Sequence, residues 1–347
     1  MMETDKYLFD LNQDQLKDYF VSIGEPPYRV EQLWNASYTH FARDFNQVTA
    51  FPVRLRSQLA SDMHFSHLKT VERFASTDGE TIKYLFVLPD GNLIESVLMH
   101  YNERHTLCIS SQSGCAMGCV FCATGQMGFR RNLSAGEVIE QVLFLGRELS
   151  QSGEKITNIV IMGMGEPFHN YDAVLEAIDR LNDPNGLNLG ARRFTISTVG
   201  IVPGIRRFAA EKRQVNLAIS LHAANDALRS MLIPANHKYP LSPLMEACGE
   251  YIKLTNRRLT FEWAMIKDVN DSVEHARELA ALLKGLLCHV NIIPLNPTTS
   301  YNGKATTEER AQEFKQVLEN NGIPCTIRAR RGIDISAGCG QLAARRA

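Results

Sequence analysis

The sequence predicts an α/β protein: a partial (βα)6 barrel, preceded by a small helical segment and followed by a short C-terminal tail that carries a cysteine. Three observations carry this reading. From His105 onward, stretches with strand character alternate with stretches of helical spacing, which argues for a parallel sheet with helices packed outside it. About six such units suit an open barrel rather than a complete eightfold one. The 347 residues are 44% hydrophobic, enough to bury one large core with a small accessory unit beside it.

The elements follow in order. Asp14 to Ile23 has helical spacing, Pro27-Tyr28-Arg29 opens a second helical stretch running to Phe41, and Pro52 opens a third. Residues 1–75 are therefore expected to form a helical accessory domain. Thr81 to Leu88 and Leu93 to Met99 read as strands joined by a turn at Pro89-Asp90-Gly91, making 76–104 a β-hairpin linker. Within the barrel, 105–330, strands are expected at Thr106–Ser110, Asn158–Gly163, Phe194–Thr198, Val215–Leu221, Leu259–Met265, His289–Pro294 and Cys325–Arg328. Helices are expected between them at Ala135–Leu149, Tyr171–Leu181, Pro203–Ala210, Pro243–Leu254, Val273–Lys284 and Glu308–Asn320. Residues 331–347 form the tail, expected to be mobile because the chain ends eight residues after Cys339. No internal repeat or low-complexity segment interrupts the pattern.

Composition excludes some classes and leaves others open. A formal net charge of -1 neither predicts nor forbids a nucleic-acid partner. The pairs Arg130-Arg131, Arg192-Arg193, Arg257-Arg258 and Arg330-Arg331 read as solvated surface. Met1 to Asp10 lacks the basic start and apolar run of a signal peptide, and no stretch reaches the uncharged length that spans a bilayer. A cytosolic protein is expected. There, eight cysteines are better read as metal ligands or catalytic thiols than as a disulfide framework.

The decisive stretch runs from Gly114 to Gly125 and places Cys115, Cys119 and Cys122 in a C-x3-C-x2-C pattern just after an expected strand. Three thiolates on a 4Fe-4S cluster leave one iron free to bind a small molecule through its amine and carboxylate. Small residues let the loop wrap the cluster, and Phe121 can shield it from water. The competing reading is a structural zinc site, which normally needs a fourth ligand, and no second C-x2-C exists in the chain. A second constellation lies at the C-terminal ends of successive expected strands, the edge on which barrel active sites are built. It comprises Gly165-Glu166 in Met162-Gly163-Met164-Gly165-Glu166-Pro167, then Ser197, Ser220-Leu221-His222 and Asn296. A lone His222 would also suit a structural role, Cys108 a half-buried strand position, and Cys339 a free thiol in a flexible tail. Cys248, Cys288 and Cys325 read as small buried hydrophobes.

C-x3-C-x2-C with an aromatic before the third cysteine resembles the radical S-adenosylmethionine superfamily. The strings Cys108-Ile109-Ser110-Ser111-Gln112-Ser113-Gly114-Cys115, running on to Gly128-Phe129, and Arg331-Gly332-Ile333-Asp334-Ile335-Ser336-Ala337-Gly338-Cys339-Gly340-Gln341-Leu342 narrow this. Together with Gly24-Glu25-Pro26-Pro27-Tyr28-Arg29 they resemble the RlmN/Cfr family of RNA adenine methyltransferases over nearly the whole chain.

The resemblance implies roles. Cys115, Cys119 and Cys122 hold the cluster, and Gly165, Glu166, Ser197, Ser220, Leu221, His222 and Asn296 bind S-adenosylmethionine, two molecules of which are used per turnover. Cys339 is methylated first and then attacks the base. Cys108 resolves the protein–RNA adduct by forming a disulfide with Cys339, and Glu95 accepts a proton. An adenine C–H is neither nucleophilic nor acidic enough for simple methyl transfer, whereas a carbon radical adds to it; the cofactor carries that step while the protein positions and shields. By the same resemblance the substrates are 23S rRNA and tRNA, and the electron donor is a flavodoxin or ferredoxin. A monomer is expected. The RlmN activity, methylation of adenine C2, is expected. Its alternatives are the Cfr-type C8 methylation of the ribosomal adenosine, which gives antibiotic resistance, and a non-catalytic RNA-binding protein folded around a metal.

Overall fold

The structure, a computed structural model, describes residues 6–344; the first five residues of the expected accessory domain, which begin the Met1–Asp10 stretch, and the last three of the tail lie outside the described residues. The N-terminal region holds α1 (Gln13–Ser22), α2 (Arg29–Trp34) and α3 (Val53–Asp62). The Asn12 side chain accepts from the Gln15 amide while Gln15 reaches back to the Asn12 amide, a capping box that starts α1. Leu16, Phe20, Leu33, Leu55 and Leu59 form the buried faces of these helices.

The strands are β1 (Lys69–Ala75), β2 (Thr81–Val87), β3 (Leu93–Tyr101), β4 (Arg104–Cys108), β5 (Gln112–Gly114), β6 (Phe129–Asn132), β7 (Asn158–Ile161), β8 (Phe194–Thr198), β9 (Asn216–Ser220), β10 (Leu259–Met265), β11 (Cys288–Pro294) and β12 (Cys325–Ile327). Ten of them make one sheet in the order β1-β2-β3-β4-β7-β8-β9-β10-β11-β12. From β1 to β4 neighbours are antiparallel, and from β4 to β12 they are parallel.

The intervening helices are α4 (Ala123–Met127), α5 (Ala135–Gln151), α6 (Tyr171–Asn182), α7 (Val202–Glu211), α8 (Asp226–Leu232), α9 (Leu241–Thr255), α10 (Val273–Leu283) and α11 (Glu308–Asn320). Six strand–helix units, β4–α5 through β11–α11, build the partial barrel, and β12 closes its edge. Each crossover returns to a parallel neighbour, the arrangement that strand–helix alternation requires. A capping box at Ser134 and Glu137 fixes the start of α5, and Pro203 lies in the first turn of α7.

The expected boundaries need two corrections. Lys69–Ala75, placed at the end of the helical segment, is strand β1. Its charged residues Lys69, Glu72 and Arg73 suit a sheet edge with one solvated side and hide the strand pattern. The hairpin of β2 and β3 is not a linker between units: it extends the barrel sheet, with β3 running antiparallel along β4. Residues Ile94 to Met99 are all buried, as a strand covered on both faces must be.

Candidate active site

The cysteine loop is closed at its neck by pairing of β5 with β6. Gly114 sits there at φ +73°, and a Cβ on it would fall 2.0 Å from the Gly128 carbonyl oxygen, so only glycine lets the two sides of the neck meet. Inside the loop the Cys115 amide donates to Gly128 O (3.0 Å) and the Cys122 amide to Cys119 O (3.1 Å). The three cysteines line one cavity at the barrel mouth. Burial pushes the Cys115 thiol up to about 12 and raises Cys119 and Cys122 as well, so a bound metal is what would hold them as thiolates. A tetrahedral zinc site brings its sulfurs to about 3.8 Å, whereas a cluster places each thiolate on a different iron. The three thiol donors of this loop fit a 4Fe-4S cluster.

The same cavity is lined by Gly165, Glu166, Ser197, Ser220, His222 and Asn296, which the barrel brings together from the ends of β7, β8, β9 and β11. Gly165, at φ +105°, lies so close to Gln112 that a Cβ would be 2.6 Å from its Cβ. The Glu166 carboxylate accepts from the Val199 amide (2.8 Å) and the Phe168 amide (2.9 Å), and burial pushes its pKa up to about 7. His222, at φ +60°, accepts the Ala264 amide on Nδ1 (2.8 Å), which leaves its proton on Nε2. Burial drives its pKa down to about 3, so it stays neutral, and Phe121 packs edge-on against it at 5.0 Å. The Ser197 and Ser220 hydroxyls lie 3.4 Å apart. Leu221 does not line the cavity; it is fully buried, and its amide donates to Glu262 O (3.1 Å).

Sequence reasoning missed three residues here. Glu262 lines the cavity, and its Oε2 is buried without a partner among the described residues, as is Asn296 Oδ1. These waiting acceptors, with the serine hydroxyls and His222 Nε2, fit the amine and ribose groups of S-adenosylmethionine. A lone carboxylate in the apolar run Leu259–Met265 was the available signal. Arg229 is wholly buried and donates to Val199 O (2.6 Å), Ser220 O (3.2 Å) and Leu221 O (3.1 Å), pinning two strand ends of the mouth. Arg328, just past β12, lines a neighbouring cavity with Cys108 and Cys339, and the Cys339 and Glu262 charges favour its guanidinium cation.

That neighbouring cavity shares Cys122, Met162, Gly163, Ile293, Asn296, Cys339 and Gly340 with the first, so the two adjoin along these residues. Cys108 is buried at the end of β4, and burial, with Cys339 acting in the same direction, pushes its thiol up to about 12. Cys339 is half-buried and lies on a tail that is docked in this structure. Asn296 Nδ2 donates to Cys339 O (3.1 Å), the Ala123 amide to Gly340 O (2.7 Å), and Thr124 Oγ1 to Leu342 O (2.6 Å). Gln341 bridges Gly338 N (3.0 Å) and Pro297 O (2.9 Å). Glu95 lines neither cavity. Its carboxylate is paired with Lys83 Nζ (2.9 Å) and accepts the Ala343 and Ala344 amides on Oε2 (2.9 and 3.1 Å). All eight cysteines are free thiols, and Cys248, Cys288 and Cys325 are buried away from the site.

Comparison with known proteins agrees with this site. The sequence model of the Radical SAM superfamily matches residues 109–283, and that of the ribosomal RNA large subunit methyltransferase N-terminal domain matches residues 6–64. The dual-specificity RNA methyltransferase RlmN 1 of Myxococcus xanthus is 48% identical over 99% of this chain and 95% of its own length. A probable dual-specificity RNA methyltransferase RlmN of Chloroflexus aurantiacus is 48% identical over 97% of this chain and 93% of its own. The crystal structure of a radical SAM methyltransferase from Sphaerobacter thermophilus superposes with a TM-score of 0.96 at 49% identity, covering 98% of this chain and all of that one. The superfamily's 4Fe-4S cluster and S-adenosylmethionine are thus this chain's cofactors. With the family shown over nearly its full length, the chain belongs to the RlmN family of radical S-adenosylmethionine RNA methyltransferases.

Proposed function

We propose that this enzyme methylates C2 of an adenosine in 23S rRNA at the peptidyl-transferase centre, and of the adenosine 3′ to the tRNA anticodon, through a methylated Cys339. The observation that carries this reading is the pair of adjoining cavities: two thiols outside the cluster motif, Cys108 and Cys339, line one of them, and Cys339 also lines the one that holds the tri-cysteine loop. When bound, the cluster and two S-adenosylmethionine molecules per turnover supply an electron, a methyl group and a 5′-deoxyadenosyl radical. Cys339 sulfur accepts the methyl group as a thioether, and Asn296 holds the Cys339 carbonyl so that the sulfur faces the cofactor cavity. Arg328 lines the same cavity as both thiols, and its charge favours the Cys108 thiolate against the burial that opposes it. The base bonded through the methylene carbon is a radical that must give up one electron, for which the oxidised cluster would be the acceptor, together with its ring proton; Cys108 thiolate then attacks Cys339 sulfur. The S–S bond forms as the S–C bond breaks, and the released carbon takes a proton.

Glu95 as acceptor of the ring proton requires the Ala343 and Ala344 amides to lift off its Oε2 first. Gly165, Glu166, Ser197, Ser220, His222 and Asn296 form the S-adenosylmethionine site, with Leu221 serving through its backbone. The helical segment before residue 75 docks folded RNA, because the barrel mouth alone is too small to grip a structured substrate. The enzyme works as a cytosolic monomer with a flavodoxin or ferredoxin as electron donor; among the described residues no helix is long and apolar enough to cross a membrane. Mass spectrometry of nucleosides from a deletion strain tests the assignment. Loss of 2-methyladenosine from both rRNA and tRNA is expected, whereas loss of 8-methyladenosine would make the enzyme Cfr-type.

A further inference from the structure

β4 ends at the active mouth, so its first residues lie at the opposite rim of the barrel, where β3 also ends. His100 and His105 are direct cross-strand partners there, with their Nδ1 atoms 3.1 Å apart. Glu154, in the connection from α5 to β7, brings Oε2 to 3.6 Å from His100 Nδ1 and Oε1 to 3.8 Å from His105 Nε2. We propose that His100, His105 and Glu154 form a binding site for one divalent transition-metal ion of the zinc class.

The argument is geometric and chemical. One donor atom from each of the three residues lies within 4.8 Å of the other two. An ion about 2.0–2.2 Å from nitrogen and oxygen donors in a tetrahedron requires its donors to be about 3.3–3.5 Å apart. The 3.1 and 3.6 Å separations to His100 Nδ1 bracket that range; the 3.8 Å approach of Glu154 is to the other nitrogen of His105, so one ion would take a single nitrogen of that ring, with the carboxylate turning to meet it. The carboxylate is too far from either ring for a direct hydrogen bond. The two rings share a hydrogen bond at 3.1 Å and Ser152 Oγ donates to Glu154 Oε2 at 3.2 Å, contacts that an ion drawing the three donors together would replace.

The donors are also held in place. The His105 backbone is tied to Thr157 through its amide and its carbonyl, all at 3.0 Å, which fixes the strand beside the Glu154 connection. His105 is 9% exposed, His100 26% and Glu154 38%, so the triangle opens to solvent on one side and leaves a fourth position for water. Two imidazoles and a carboxylate suit zinc, nickel or cobalt rather than magnesium or calcium. A bound ion would join the β3–β4 hairpin to the α5–β7 connection. The same hairpin meets the root of the C-terminal segment, since Arg331 donates to the His100 carbonyl at 3.1 Å.

The test uses anaerobically reconstituted holoenzyme, whose cluster cysteines are occupied, freed of loose metal and titrated with zinc alone. Bound zinc and iron are then counted together. The expected result is one zinc per chain in addition to the cluster iron, with affinity lowered roughly tenfold or more in His105→Asn and in Glu154→Gln. Glu154 is exposed enough that its replacement does not threaten folding, and iron content should be unchanged in that variant. Zinc should also raise the melting temperature of the wild type and leave that of Glu154→Gln unmoved. The proposal fails if the wild type takes up no zinc, if uptake equals that of both variants, or if zinc enters only as iron is lost.

Discussion

The two ends of the chain both pack against the barrel, and they do so in opposite ways. The N-terminal region is anchored by buried charge and large apolar side chains. Arg180 donates to Phe9 O (2.8 Å), Leu11 O (3.1 Å) and the Tyr38 hydroxyl (2.8 Å), and Arg147 donates to Phe41 O (2.8 Å) and Ala42 O (2.9 Å). His67 lies between Asp10, at 2.8 Å, and Glu140 of α5, which also accepts the His67 amide. Breaking such contacts strands a buried charge, at a cost of several kcal/mol each. The C-terminal segment is held differently. Of its described residues only Ala337, Leu342 and Ala344 are buried apolar side chains; most of the remaining attachment is hydrogen bonding to Asn296, Thr124, Pro297, Glu95 and Thr77. Each such bond contributes about 1 kcal/mol and can be exchanged for water. One end is a fixed clamp. The other is a docked arm, as the role proposed for Cys339 would require.

The sharpest break in that comparison is at the arm's cysteine. Cys339→Ala should abolish methylation and form no bond to RNA. Cys108→Ala should stop after the bond is made and accumulate RNA attached through Cys339, seen as a nuclease-sensitive shift on a denaturing gel. Wild-type turnover by Cys108→Ala without adduct would remove both assigned roles.

The next effect is on the clamp and depends on pH. The His67 imidazolium is raised from 6.5 to about 9: burial opposes the rise, and the hydrogen bonds and charges of Asp10 and Glu140 outweigh it. Because the folded-state value is the higher one, its stabilisation is fully present below about pH 6.5 and is lost as pH rises through about 9. Each tenfold gain in proton affinity is worth about 1.4 kcal/mol, so the whole effect is on the order of a few kcal/mol. Melting curves from about pH 6 to about pH 10 should show the wild type converging on His67→Gln at the alkaline end. A gap that stays constant with pH would mean that the histidine contributes packing rather than charge.

The smallest effect belongs to the arm. Gln341→Ala removes the bridge between Gly338 and Pro297 and should lower stability by about 1 kcal/mol or less. Tryptic cleavage at Arg330 and Arg331 should nevertheless rise severalfold, because undocking is local. Destabilisation as large as that of His67→Gln would place the arm in the core instead.

Much of the barrel is legible in the sequence. The strands Phe194–Thr198 and Leu259–Met265 and the helix Glu308–Asn320 lie where periodicity puts them, because apolar runs bounded by turns leave little choice of burial. β1 is not legible, since a charged edge strand has no buried alternation to display. Nor is the β5–β6 neck, where three and four residues are too few to carry a pattern. In the site, the cysteine spacing points directly to cluster chemistry, and the glycine-rich turn after β7 points to a ligand. Arg229, Glu262 and Arg328 escape notice because each looks like an ordinary polar residue until closure of the sheet turns it inward.

The sequence by itself determined the chemistry this protein can hold: three thiols at cluster spacing, two more thiols in strings of family pattern, and a chain of strand–helix units to carry them. Local spacing and periodicity suffice for that, because they depend only on neighbouring residues. Tertiary structure alone decided which of those groups meet. Cys108 and Cys339 lie more than two hundred residues apart and share a cavity because β4 ends at the mouth where Asn296, Thr124 and Gln341 dock the tail. Glu95, whose position in a strand says nothing of its partners, is held by Lys83 and the tail amides. Contacts of that range are set by sheet order and packing, which no local pattern encodes.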